Sequence, residues 1–205
     1  MNAFLVNYNY TPNWLREYDI DYILTDRSDG EYLKDFPKGK VVKTPNVGNV
    51  DNDKLSFLIA NYERLPDVFI WGKTNLFKYI SKEEFDKVKD NKAFTPLLTQ
   101  NHKVYSDAKG KVCYYKKGMY YERNDSWYLN VHPAKVKNWK EWAQMFDLPN
   151  PKYIPFAPGG NYILTKEVVH KYPVDFYRKM RQTLLYTQLP GEAQLCERSY
   201  YLLWS

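Results

Sequence analysis

The sequence predicts an α/β domain built on a Rossmann-like, mostly parallel central sheet flanked by helices. Residues 3–8 (AFLVNY) form a short apolar run closed by polar residues, the pattern of a buried first strand. Residues 68–71 (VFIW) are apolar without a break, as a strand covered on both faces must be. The first half alternates strand-like with helix-like segments, an order that favours parallel pairing with helices on the sheet's faces. A length of 205 residues suits one domain with one substantial core.

Each element has its own signal. Pro12 and Asn13 open a brief helical stretch after the first strand. Residues 21–25 read as a second strand ending in the polar turn 26–30, and Val41 with Val42 mark a short third strand before the turn 44–48. Asp51 or Asn52 is placed to cap a helix running to about Tyr62, with Leu55, Leu58 and Ile59 on one face. Ser81 and Glu84 form a capping box for a helix over 81–89. Residues 103–127 alternate aromatics with Lys, Gly and Asn, as one or two hairpins do. A helix over 139–146 follows, then residues 153–156 lead into 157–160, followed by a strand 161–164 and helices over 165–170, 175–185 and 192–204.

Composition narrows the classes of function. Aromatic residues make up 18% of the chain, including 20 Tyr and 6 Trp. That surplus suits a cleft that stacks against rings, and equally a compositional habit of the source. The net charge of +6 attracts anions, but acidic residues interleave with the basic ones, unlike the clustered stripe of a nucleic-acid binder. No run approaches the roughly 18 apolar residues that span a bilayer, and the N-terminus lacks the charged start of a signal peptide. With Cys113 and Cys196 alone, free thiols in a reducing, cytoplasmic setting are expected. The sequons at Asn9 and Asn124 carry no weight without secretion. Because the chain stops at Trp204-Ser205 inside an apparent helix, it is expected to be one module of a longer polypeptide.

The motifs give partial signals. Gly72-Lys73-Thr74 lacks the glycine that a P-loop needs five positions earlier, where Asp67 stands. It still puts a lysine and small polar residues at the end of a central strand, where a pyrophosphate can be met. Asp51-Asn52-Asp53 has the D-x-D spacing that suits a divalent ion between diphosphate oxygens, but it opens a helix, which suits a cap as well. Asp26 is a separate candidate for metal or ribose. His102, His132 and His170 share no ligand spacing, and no serine sits in a G-x-S-x-G elbow. Gly159-Gly160 before a strand let a ligand approach the backbone, or simply make a tight turn. Glu192 and Glu197, on the last helix, are candidates for a general base.

Read in order, these segments resemble a known family. The similar segments are Asn7-Tyr8-Asn9 with Trp14-Leu15, Pro45-Asn46-Val47-Gly48, and Phe57-Leu58. They continue with Asn61-Tyr62-Glu63-Arg64-Leu65-Pro66-Asp67-Val68, then Pro158-Gly159-Gly160-Asn161-Tyr162-Ile163. Pro173-Val174-Asp175-Phe176-Tyr177 and Glu197-Arg198 ahead of Trp204 complete the match. The family comprises fungal, algal and viral domains of glycosyltransferase-A type. The composition is also similar to that of chlorella-virus glycosyltransferases, which decorate the capsid glycan. The resemblance covers most of the chain apart from about residues 100–150.

It implies a UDP-sugar donor, a glycan acceptor and commonly Mn²⁺ or Mg²⁺. Carried over by position, Val6, Asn7, Tyr8, Asp26 and Arg27 would meet the nucleotide, and Lys73, Thr74 and Asn75 would stand at the D-x-D place. Gly159, Gly160 and Asn161 would line the donor sugar, with Glu192 or Glu197 facing the acceptor as base, an inverting arrangement. Gly72-Lys73-Thr74-Asn75 contains no carboxylate, so either Lys73 faces the diphosphate or the ion is held elsewhere. The expectation is sugar transfer from UDP to a glycan hydroxyl in viral capsid glycan synthesis, in the host cytoplasm, with nucleic acid disfavoured as a partner. A non-catalytic module binding nucleotide, glycan or nucleic acid is the alternative.

Overall fold

The computed structural model describes residues 1–125 and 130–205. The end of the expected hairpin region and Ser126 of the second sequon lie outside the described residues.

Strand β1 (Asn2–Asn7) pairs in parallel with β2 (Asp21–Asp26) on one side and β4 (Val68–Lys73) on the other. Strand β3 (Val41–Lys43) extends the parallel set beyond β2. Later in the chain, β10 (Tyr162–Thr165) joins antiparallel to β4, and β5 (Thr95–Pro96) closes the far edge. Among the described residues this is a six-stranded sheet of order β3-β2-β1-β4-β10-β5, mostly parallel as the alternating sequence requires. Strand β4 is buried on both faces: Phe69 and Trp71 enter one core layer and Ile70 the other.

The first layer lies under α2 (Asn49–Asn61), α6 (Val174–Gln182) and α7 (Gly191–Trp204). The second lies under α1 (Trp14–Glu17) and α3 (Lys82–Val88). Ser81 caps α3 by accepting from Glu84 N–H, as the capping box predicts. Helix α2 starts earlier than expected. Its N-cap is Gly48 in the left-handed region at φ 74°, so Asp51 and Asn52 fall inside the first turn and do not cap it. A separate antiparallel sheet is built from β6 (Tyr105–Asp107), β7 (Gly110–Lys116), β8 (Met119–Arg123) and, after α4 (Trp139–Met145), β9 (Tyr153–Phe156). The chain crosses from this sheet back to the first through residues 157–161, then continues through β10 into α5 (Lys166–His170). The glycine pair therefore stands between the two sheets. No helix among the described residues is long and apolar enough to cross a membrane.

Candidate functional site

The chain runs outward from β1 through β2 to β3, then places β4 on the opposite side of β1. In open parallel sheets ligands bind at such a reversal, beyond the carboxyl ends of the strands that flank it. Here those ends carry Asn7 and Lys73, with Asp26 paired beside Asn7.

The polar groups nearest the reversal are occupied by one another. Asp26 Oδ1 accepts from Asn7 Nδ2 at 3.2 Å and from Ser28 N and Oγ at 3.1 and 2.6 Å, while Oδ2 accepts from Lys43 Nζ at 2.9 Å. Burial works against the Asp26 charge, but Ser28, Lys43 and Asn7 outweigh it and hold the carboxyl below the usual range. Thr74 Oγ1 donates to Asn7 Oδ1 at 2.7 Å, and Trp14 Nε1 donates to the Thr74 carbonyl. Val6, Asn7, Asp26 and Thr74 are all buried. At the strand ends Asn7, Asp26 and Thr74 bond to one another, and Val6 packs in the core.

Arg27, also buried, does a related job. Its guanidinium donates to Asn46 Oδ1 at 3.0 and 3.3 Å, to the Val47 carbonyl at 2.9 Å and to the Asn49 carbonyl, and it pairs with Asp53 at 3.2 Å. This pins the turn that enters α2. Above it, Tyr8, Arg27, Asn46, Asn49 and Gln188 border a pocket of about 340 Å³. Tyr8, half exposed, presents its ring to this pocket.

Lys73, at the end of β4, stands 3.7 Å from Glu197 on α7, and both side chains keep some solvent contact. Glu197 Oε1 also accepts from Gly159 N–H at 3.2 Å. Burial presses the Lys73 amine down, yet Glu197 and Tyr79 outweigh it and raise its pKa. Burial pushes Glu197 up, yet Lys73, Arg198 and Lys54 outweigh it and hold it below the ordinary glutamate range. At neutral pH the two form an ion pair, a carboxylate able to accept a proton beside a cation able to meet an anion. They border a cleft of about 470 Å³ walled by Tyr79, Tyr105, Tyr120 and Phe156 and by the Arg198–Glu122 ion pair. Asn49 borders this cleft as well as the smaller pocket.

Two glycines are required here for steric reasons. At Gly159, φ is 89° and an added Cβ would come within 2.6 Å of the Tyr79 ring. At Gly72 a Cβ would lie 2.5 Å from Asn161 Oδ1, the atom that accepts from Lys73 N–H at 2.8 Å. Asn161 thus braces the end of β4 through Oδ1, while its buried Nδ2 has no partner. Asn75 Oδ1 is buried without a partner.

The structure separates the two glutamates of α7. Five helical positions correspond to about 140° of rotation, so Glu192 and Glu197 point in different directions. Glu192 accepts from Lys135 and Val136 N–H at 2.6 and 3.1 Å and from Tyr186 Oη at 2.6 Å. Anchoring that loop occupies it, so it does not share the cleft with Glu197.

The D-x-D at 51–53 splits the same way: Asp51 accepts from Tyr200 Oη at 2.8 Å, whereas Asp53 turns to Arg27 and Thr44. Burial raises the pKa of both carboxyls, against Lys54 and Arg27 respectively. Where the resemblance implies a divalent ion, the end of β4 offers an ammonium and buried neutral groups, and Glu197 is already paired to that ammonium. This donor set does not suit a hard dication, which takes several oxygens. Among the described residues no three His, Cys, Asp or Glu side chains gather as metal ligands.

Sequence reasoning missed Lys54, whose side chain is buried beneath the glycine pair. The signal was present, since positions 51, 54, 55 and 58 follow the i, i+3, i+4, i+7 spacing of the buried face of α2.

A family model described as "Protein of unknown function (DUF3431)" matches residues 8–205, and the chain belongs to that family. No curated protein and no solved structure matches it.

Proposed function

We propose that this member of the DUF3431 family is a glycosyltransferase that binds a UDP-sugar at the β1–β4 reversal and moves the sugar to a hydroxyl of a glycan. The observation that carries the reading is the Lys73–Glu197 pair: a cation at the end of a central strand beside a carboxylate in a 470 Å³ aromatic cleft.

The smaller pocket suits the nucleoside. Asn46 Oδ1 accepts from Arg27 and Asn49 Oδ1 accepts from Val50 N–H, which leaves both amide nitrogens as donors. Donors favour a base that presents carbonyl oxygens, as uracil does. The exposed Tyr8 ring adds a surface to stack on. The diphosphate would then reach Lys73, drawing the ammonium off Glu197 and stabilising charge on the leaving group. Losing that cation makes Glu197 a stronger base, because Lys73 is the first of the charges that hold its pKa down. The acceptor O–H gives its proton to Glu197 as its oxygen bonds to the anomeric carbon. The bond from that carbon to the diphosphate breaks, and its electron pair leaves with UDP. Lys73 supplies the positive charge, and no step is assigned to a metal ion.

The reading is tested by incubating the protein with a panel of UDP-sugars and glycan acceptors and following UDP release. One donor should be consumed by the wild type and spared by Glu197→Gln. Binding of UDP with no turnover across the panel would instead make the chain a nucleotide-binding module.

A further inference from the structure

Behind the cleft lies a buried amine that the proposed chemistry does not use. Lys54 projects from the first turns of α2 and is 0% exposed. Its Nζ donates to the Gly160 carbonyl at 2.6 Å, reaches the Gly159 carbonyl at 3.5 Å, and stands 4.7 Å from the centre of the Trp71 ring. Both glycines hold left-handed φ values, 89° and 63°, and two successive carbonyl oxygens meet one ammonium. There is no slack in the fit, for a Cβ on Gly160 would come within 2.9 Å of Nζ. The same stretch of backbone turns its Gly159 N–H outward to Glu197.

Neutralising Asp51, one turn back on α2, does not account for this geometry. Among the described residues no ion pair within 4.0 Å joins them; the ammonium goes to the loop, and Asp51 Oδ2 has no partner. A buried ammonium is costly, and an apolar chain of like length would fill the space without that penalty.

We propose that Lys54 is a positioning residue that fixes the Gly159–Gly160 loop and, through Gly159 N–H, the Glu197 carboxylate. The effect on turnover rests on Glu197 being the base of the proposed reaction, whereas the clamp itself does not. The groups facing Lys54 are Asp51 on its own helix, Lys73 on β4, and Glu197 and Tyr200 on α7. Burial presses the amine down to about 8, with Asp51 and Glu197 pulling it up and Lys73 pushing it down. As pH rises through that value the loop loses the charge that holds its two carbonyls.

The chain has only nine glycines, so ¹⁵N-glycine labelling gives a spectrum simple enough to follow Gly159 and Gly160 directly. Their amide signals should move together with a midpoint near pH 8 in the wild type, and Lys54→Met should shift or broaden both and abolish that transition. Turnover of Lys54→Met should fall about tenfold or more in kcat with a smaller change in donor KM, as misplacement of a reacting group predicts. The clamp is overturned if both amides are independent of pH in the wild type, or unchanged in the variant. An active wild type whose kcat survives Lys54→Met overturns the positioning role even if the loop signals move. A wild type inactive on every donor counts against glycosyl transfer alone, since the amides still decide the clamp. Should Lys54→Met not fold, the wild-type titration decides it.

Discussion

Two polar clusters lie side by side at the carboxyl edge of the same sheet and have opposite characters. Around Asp26 the carboxylate receives four hydrogen bonds, Asn7 and Thr74 complete the net, and water is shut out. Around Glu197 the carboxylate has one backbone donor and a lysine at 3.7 Å, and it stays in contact with solvent. A carboxylate with its acceptor sites filled has nothing left to offer a ligand, while a loosely held pair can exchange partners. Residue type and strand-end position therefore do not identify a site here; hydrogen bonds still unmade do.

The two carboxylates should differ most in catalysis. Glu197→Gln should lower transfer by about 10²- to 10⁴-fold, the range for losing a general base, with little loss of melting temperature. Glu192→Gln should leave turnover nearly untouched and cost stability instead, because its acceptor sites serve Lys135, Val136 and Tyr186. Equal kinetic losses from the two would undo the distinction drawn between them.

Asp26→Ala comes next. It strands the buried Asn7 amide and Ser28, and unfolding in urea should show a loss of about 3 kcal/mol. A loss under about 0.5 kcal/mol would mean that the net is ornamental. Gly72→Ala is expected to cost about 1–3 kcal/mol by forcing Asn161 away from Lys73 N–H, and to weaken UDP binding along with stability.

A pH dependence is expected as well. Lys54 titrates near 8 in the fold and near 10.4 when unfolded, so between those values the unfolded chain binds more protons. Stability contributed by this group therefore rises as pH climbs from about 8 towards 10, and the urea midpoint of the wild type should rise relative to that of Lys54→Met over that window. Parallel curves would show that Lys54 is not perturbed.

Much of the architecture was legible because periodicity reports burial. Strands β1, β2 and β4 and helices α3 and α7 fall close to where their patterns put them. The start of α2 was misread because Asp51 and Asn52 have the chemistry of caps, whereas the turn is made by Gly48 with Arg27 binding the loop from a distant strand. The antiparallel β10 next to β4 was not foreseen, since a lone strand carries no mark of its direction. For the site, the sequence could nominate Lys73, Glu197 and Gly159 singly, but their meeting depends on α7 folding back over the sheet. Asn7, Asp26 and Asn161 were nominated for contact, but the sequence could not show that each also bonds to a partner nineteen or more positions away. Lys54 was passed over since a lysine in a helix reads as solvated unless its place on the buried face is counted.

Whether the β1–β4 reversal holds a uridine nucleotide is decided by a thermal-shift series of UDP, GDP, CMP and ADP, each with and without Mn²⁺. UDP at about a hundred times its Kd should stabilise the fold by about 2.7 kcal/mol, a rise of roughly 5–10 °C for a chain of this size. The rise should appear without Mn²⁺ and shrink in Lys73→Met. No shift with any nucleotide, or an equal shift with all four, would contradict the account.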